Sequence, residues 1–163
     1  MSNNNFVIRE IQVQDDAKIA KAIRAVLIEY GAPKVGTAYE DAALDCMTET
    51  YSKPKKRYFV VEKDGNILGG AGIASLESYD GNVCELQKMY FMSEARGKGL
   101  GSLMMKTCLD FAKSEGFEQC YLETLPYMTE ARKLYHKVGF KSLDQPLGNT
   151  GHYSCTEWML KDL

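Results

Sequence analysis

The feature that most restricts this chain is the hexapeptide Arg96-Gly97-Lys98-Gly99-Leu100-Gly101. A mostly apolar, strand-like run at 86–92 leads into it, and an amphipathic helical pattern at 100–113 leads out. Strand, glycine-rich turn and helix N-terminus, in that order, make an anion cradle. Glycine carries no Cβ to keep a ligand away from the backbone. The first helical N–H groups have no partner inside the helix, and the positive end of the helix dipole faces the same way. Arg96 and Lys98 add positive charge. Glycine spacing then sorts the ligands. A dinucleotide fingerprint requires G-x-G-x-x-G, whereas Gly97, Gly99 and Gly101 run G-x-G-x-G. A P-loop requires a lysine directly before its Ser or Thr, and Gly101-Ser102 has none.

Composition excludes several other classes. A chain of 163 residues suits one domain, residues 1–163, with a sizeable core. Its 45% hydrophobic and 26% charged residues argue against disorder. A net charge of −2 gives no global basic field for nucleic acid. Cys46, Cys84, Cys108, Cys120 and Cys155 include no C-x-x-C pair, so no metal site is expected. They read as buried free thiols of a reducing compartment. The polar start at 1–5 lacks a signal-peptide run, and no apolar stretch approaches membrane-spanning length. The expectation is a cytoplasmic protein with no membrane partner.

Periodicity supplies the remaining elements. Residues 6–11 read as a first strand. Asp15 and Asp16 open a helix whose face is Ile19, Ile23, Val26, Leu27 and Tyr30, and Gly31 and Pro33 stop it. A second helix is expected at 41–51, with Ala42, Leu44, Cys46, Met47 and Tyr51 as apolar positions. The basic run Lys53, Lys55, Lys56, Arg57 is either a solvated turn or a contact for an acidic substrate. Strands at 58–62 and 67–76 flank Asp64-Gly65, a hairpin signal. Gly69, Gly70 and Gly72 suggest a bend or close backbone approach in the second of them. A strand at 83–92 feeds the hexapeptide. The helix behind it shows Leu100, Leu103, Met104, Thr107, Cys108, Phe111 and Ala112 on one face. Then follow a strand at 119–124, a helix from a Thr129 cap to Gly139, and strands at 140–143 and 153–160. The result is an α/β domain: a mixed central sheet with helices on both faces.

The hexapeptide resembles the acetyl-CoA pyrophosphate loop of the GCN5-related N-acetyltransferase superfamily, Arg/Gln-x-x-Gly-x-Gly/Ala. Downstream, Ala131-Arg132-Lys133-Leu134-Tyr135 and Val138-Gly139-Phe140 resemble that superfamily's A-x-x-L-Y followed by G-F. Two motifs in the right order, about one strand–helix unit apart, are far more specific than either alone. The resemblance implies an acyl-CoA N-acyltransferase fold, splayed at the middle strands, with acetyl-CoA as co-substrate. It also implies direct transfer to an amine acceptor, a small molecule or a peptide, in a ternary complex. Homodimers are common among members. The rival reading keeps the cradle without turnover, as a non-catalytic acyl-CoA-binding regulator.

The resemblance also assigns residues. Arg96, Gly97, Lys98, Gly99, Leu100, Gly101 and Ser102 would cradle the pyrophosphate. The backbone of Met89 and Phe91, with Tyr90 between, would hold the pantetheine arm and the acetyl carbonyl. Tyr135 stands at the usual general-acid position, though it equally suits an apolar helix face. Glu85 resembles the catalytic glutamate of the histone-acetylating branch. Strict alternation would put Glu85, Gln87, Met89 and Phe91 on one strand face. An amine acceptor is protonated at neutral pH, so a base must take its proton before attack. His152 is a rival base or a solvated loop histidine. Glu123 either points into the slot and binds substrate or stays on its strand. Met128 stands where many members carry an asparagine that contacts the cofactor, and Ser93 replaces a common proline.

Overall fold

The computed structural model describes residues 5–163, so the polar start at 1–4 lies outside the described residues. The chain runs β1 (Phe6–Glu10), α1 (Asp16–Glu29), a short α2 (Met47–Thr50), β2 (Arg57–Lys63), β3 (Asn66–Ser75), β4 (Val83–Phe91), α3 (Leu100–Ser114), β5 (Gln119–Thr124), α4 (Thr129–Val138), β6 (Lys141–Leu143) and β7 (Glu157–Asp162). The seven strands form one sheet in the order β1-β2-β3-β4-β5-β7-β6. Every neighbouring pair is antiparallel except β4 and β5, which lie parallel with α3 as their crossover.

Hydrophobic packing sorts the helices to two faces. On one, Met104, Met105, Cys108, Phe111 and Ala112 of α3 cover Leu68, Ala71, Ile73, Cys84, Leu86, Cys120 and Leu122. On the other, Ile19, Ile23 and Leu27 of α1, with Leu44 and Met47, cover Tyr58, Val60, Ile67 and Ala74. Truncating a fully buried side chain of this size costs about 2–5 kcal/mol. Packing beneath α3 therefore fixes where its N-terminus stands. The hairpin β2–β3 turns at Asp64 (φ 51°) and Gly65 (φ 83°), the paired left-handed residues of a type I′ turn.

Several expectations need correction. The region at 41–51 is no continuous helix. It is a set of 3₁₀ turns, Ala38–Glu40 and Ala42–Asp45, followed by the single turn of α2. Asp41 breaks it, with extended backbone (φ −60°, ψ 123°) between the two turns. On α3, Leu103 faces solvent at 52% exposure, while Met105 and Leu109 are buried. The cap of α4 is Met128 rather than Thr129, which is the first helical residue. The last strand begins at Glu157 because 153–155 is drawn off the sheet: the Ser154 N–H donates to the Gly36 carbonyl at 3.0 Å and its hydroxyl to Val35 at 2.8 Å. Four cysteines are buried free thiols, but Cys46 is exposed.

Candidate active site

The parallel pair opens where the chemistry would sit. Pairing of β4 with β5 is confined to Val83, Cys84 and Glu85 opposite Gln119, Cys120 and Tyr121. Beyond Glu85 the two strands diverge. On its other edge β4 stays paired with β3 but carries an extra residue. Gly72 faces Gln87 and Gly70 faces Tyr90, so two residues of β4, Lys88 and Met89, oppose Ala71 alone. This is a β-bulge, and Lys88 within it has φ 49°. Three glycines of β3 allow close approach on its two edges: a Cβ on Gly69 would collide with the Tyr90 carbonyl oxygen of β4, while one on Gly70 would collide with the Phe59 carbonyl oxygen and one on Gly72 would lie 2.6 Å from the Tyr58 ring, both of β2. The Tyr58 hydroxyl donates to the Lys88 carbonyl at 2.8 Å and pins the bulge.

The bulge overturns the expected face. Glu85 and Gln87 point to the α1 side, and so does Tyr90, three residues beyond Gln87. Met89 and Phe91 point to the α3 side with Leu86. Glu85 therefore does not share a face with Met89 and Phe91. The strand serves two chambers, one on each side of the opening.

The first chamber is a cleft of about 370 Å³ between β4, the hexapeptide loop and α4. Met89, Tyr90, Phe91, Arg96, Gly97, Gly101 and Tyr135 all line it. Gly97 (φ 71°) and Gly99 (φ 78°) hold left-handed backbone, and a Cβ on either would meet nothing within 4 Å. The left-handed backbone favours glycine at both positions, and the space beside them is open to a ligand. Gly99 caps α3 without a side chain, and no acidic residue stands in the first turn. A helix start so equipped fits a phosphate-bearing ligand. Gly101 serves packing instead: its Cβ would come 3.0 Å from Leu134 of α4. Arg96 is engaged elsewhere. Its Nε donates to the Phe91 carbonyl at 2.8 Å, and its two terminal nitrogens grip Glu29 at 2.8 and 2.9 Å. It fastens the loop to α1 rather than offering a free guanidinium. Lys98 and Ser102 are exposed beside the cleft, and the Leu100 side chain is buried in the core.

Tyr135 joins the cleft to the slot between β4 and β5, which Lys88, Glu123 and Met128 also line. Its ring packs edge-on to Phe140 at 6.1 Å, and its hydroxyl makes no hydrogen bond among the described residues. Burial pushes its pKa well up, so the proton is retained.

The second chamber, about 410 Å³, lies on the α1 side. Glu85 is 5% exposed at its wall. Its Oε1 accepts from Gln87 Nε2 at 2.8 Å, and Gln87 Oε1 accepts from the Tyr51 hydroxyl. Burial pushes the Glu85 carboxyl up to about 7; the bond from Gln87 works against that rise, and the charge of Glu123 adds to it. His152 Nε2 donates to Asp41 at 2.8 Å, and Lys88 Nζ lies 3.4 Å from the same oxygen. Burial disfavours charge on His152, but the bond to Asp41 outweighs it and holds the imidazole above its ordinary pKa. The Asp41 carboxylate stays below the usual range despite burial, because His152 and Lys88 oppose it. Glu123 is occupied: Tyr121 donates to it at 2.6 Å, and so does Thr150. It ties the loop before β7 to the sheet. His152 lies in that loop rather than on the last strand.

The structure thus brings Glu85, Tyr135, Tyr90 and Glu123 around one opening, with His152 across the chamber. Sequence reasoning missed Tyr51, Gln87, Asp41 and Lys88. A lysine inside a mostly apolar strand was a readable signal for Lys88. Asp41 gave none, because its partners are 47 and 111 positions away.

Residues 22–140 match the profile of the Acetyltransferase (GNAT) family. The chain is 42% identical over 158 residues to the uncharacterized N-acetyltransferase YjgM of Escherichia coli strain K12, covering 96% of this chain and 95% of that protein. An acetyltransferase of the GNAT family from Staphylococcus aureus Mu50 superposes with a TM-score of 0.86 at 18% identity, over 97% of this chain and 99% of that one. The yncA protein of Salmonella typhimurium, solved with its cofactor acetyl-CoA, gives 0.75 at 19% identity, over 98% and 94%. No helix among the described residues is long and apolar enough to cross a membrane. A profile spanning most of the sequence, a relative this similar along its whole length and a sheet that opens beside a glycine cradle agree: the chain belongs to the GNAT family of acetyltransferases.

Proposed function

We propose that this protein moves an acetyl group from acetyl-CoA to a primary amine by direct attack in a ternary complex, in the cytoplasm. One observation carries the reading. Glu85, buried and with its carboxyl pushed up to about 7, lines a chamber that shares Lys88 with the slot between β4 and β5, and that slot shares Met89, Tyr90, Met128 and Tyr135 with the glycine cradle's cleft. A group poised near neutrality is what proton removal from an ammonium requires.

The residues divide the work. The N-terminal N–H groups of α3, with Gly97 and Gly99, hold the pyrophosphate. Backbone beyond Glu85, unpaired with β5, holds the arm and polarises the acetyl carbonyl through an N–H. The thioester supplies the activated acyl group. Glu85 takes the proton of the acceptor, and Gln87 and Tyr51 fix the orientation of its carboxyl. Tyr135 gives a proton to the departing sulfur. His152 Nε2 is already bonded to Asp41, so it is poorly placed to accept one. A binding module without turnover would have no use for a desolvated carboxyl at the far end of the slot.

The test is amine-dependent thiol release from acetyl-CoA, followed as kcat/KM against pH. The wild type should lose activity on the acid side of about pH 7. Glu85→Gln should cost about 10²-fold or more and abolish that limb. His152→Gln should leave the limb in place. A limb that survives in Glu85→Gln and vanishes in His152→Gln reverses the assignment.

A further inference from the structure

The charges in the acceptor chamber say more about the acceptor than its being an amine. We propose that the acceptor is an amino acid, held by its carboxylate against Lys88 and His152. This rests on the acetyl-transfer reading above.

The charged groups facing the chamber are Asp41, Lys56, Glu77, Glu85, Lys88 and His152. Lys56 is half-buried and Glu77 exposed. Inside, Asp41 is the shared partner of His152 and Lys88. His152 Nε2 and Lys88 Nζ meet the same Oδ2, at 2.8 and 3.4 Å. One carboxylate oxygen thus serves both groups. A lysine ammonium has three donors. The 3.4 Å contact is longer than a well-formed N–H···O bond, and Lys88 Nζ makes no other ion pair among the described residues. Its side chain is only 8% exposed. Lysine is almost never buried without full pairing.

The position of this charge sharpens the point. Lys88 lines both the chamber and the slot, and its ammonium lies beside Asp41 in the chamber. The chain accepts left-handed backbone at a non-glycine residue to put it there. A polyamine, or a lysine side chain of a protein, brings Lys88 no second carboxylate. A zwitterion does. Its carboxylate completes the pairing of Lys88 and His152, and its ammonium is directed to Glu85. A chamber of a few hundred Å³ also suits a small molecule.

Matched pairs test this: tyrosine with tyramine, histidine with histamine, phenylalanine with phenethylamine, lysine with cadaverine. Each pair differs by the carboxylate. At least one acid should exceed its amine by about 10²-fold in kcat/KM. Lys88→Met should collapse that ratio, chiefly by raising KM for the acid, and Lys88→Arg should restore most of it. Calorimetry of the same ligands on protein saturated with CoA provides a readout without turnover. Acids that bind in a Lys88-dependent way but are not acetylated would keep the ligand class and sink the transfer reading. Amines that react as well as their acids, a ratio unmoved by Lys88→Met, or acids that neither bind nor react would overturn the proposal.

Discussion

Glu85 and Tyr135, the proton acceptor and donor of the proposed reaction, are both shifted by burial. It raises the Glu85 carboxyl toward neutrality, and it keeps the Tyr135 phenol protonated. Tyr135→Phe removes the proton and keeps the ring against Phe140. Its single-turnover rate should fall by about 10²-fold, with acetyl-CoA affinity and melting temperature unchanged; an unaltered rate would remove Tyr135 from the chemistry. The sequence singled out both residues, Tyr135 by its motif and Glu85 by its distance to the loop, and their roles belong to the proposed function. The geometric reason first given for Glu85 did not survive. Alternation along a strand presumes no inserted residue, and the bulge at Lys88 inserts one. Lys88 and Asp41 needed the tertiary fold, because an ion pair across 47 positions leaves no local pattern.

At the level of elements, the loop before α3 can be tested apart from the reaction. Gly99→Glu puts a carboxylate into the open space at the helix start, where the pyrophosphate would lie. Gly99→Ala adds only the left-handed strain, about 1–2 kcal/mol. Titration calorimetry should show acetyl-CoA affinity reduced at least tenfold further in Gly99→Glu than in Gly99→Ala; equal affinities would move the phosphate elsewhere. This element was the most readable in the chain, since glycine spacing and a clean helical stripe are both local signals. The hairpin at Asp64-Gly65 was legible for the same reason. The region at 41–51 was not. Its apolar spacing does bury Leu44, Met47 and Tyr51, but which side chains go inward does not fix whether backbone hydrogen bonds run on unbroken.

Across the whole molecule, the chamber on the α1 side is closed by ties between distant parts of the chain. His152 in the last loop bonds Asp41 near the middle, and Ser154 bonds Gly36. Asp41, with its lowered pKa, matters only in acid, below the range where His152 and Glu85 titrate, and those two have one sign. His152 has a raised pKa, so its contribution is complete below its ordinary value of 6.5 and is lost as pH rises through the folded value. Glu85 is also raised, from 4.5 to about 7, so burying it grows costlier over that interval and stays so above it. Thermal melts of the wild type should therefore fall from pH 5.5 to 9. Glu85→Gln should melt higher than wild type at pH 8 and lose that advantage at pH 5, whereas His152→Gln should melt lower than wild type at pH 6 and approach it at pH 9. A wild-type melting temperature that is flat across the range would contradict both assignments. The bulge has one more consequence, for how such a protein can change. Upstream of Lys88, β4 gives Glu85 and Gln87 to one chamber; downstream, Met89 and Phe91 go to the other. Under the proposed function, substrate preference would be free to drift in the first segment while the grip on the acyl donor in the second is left alone.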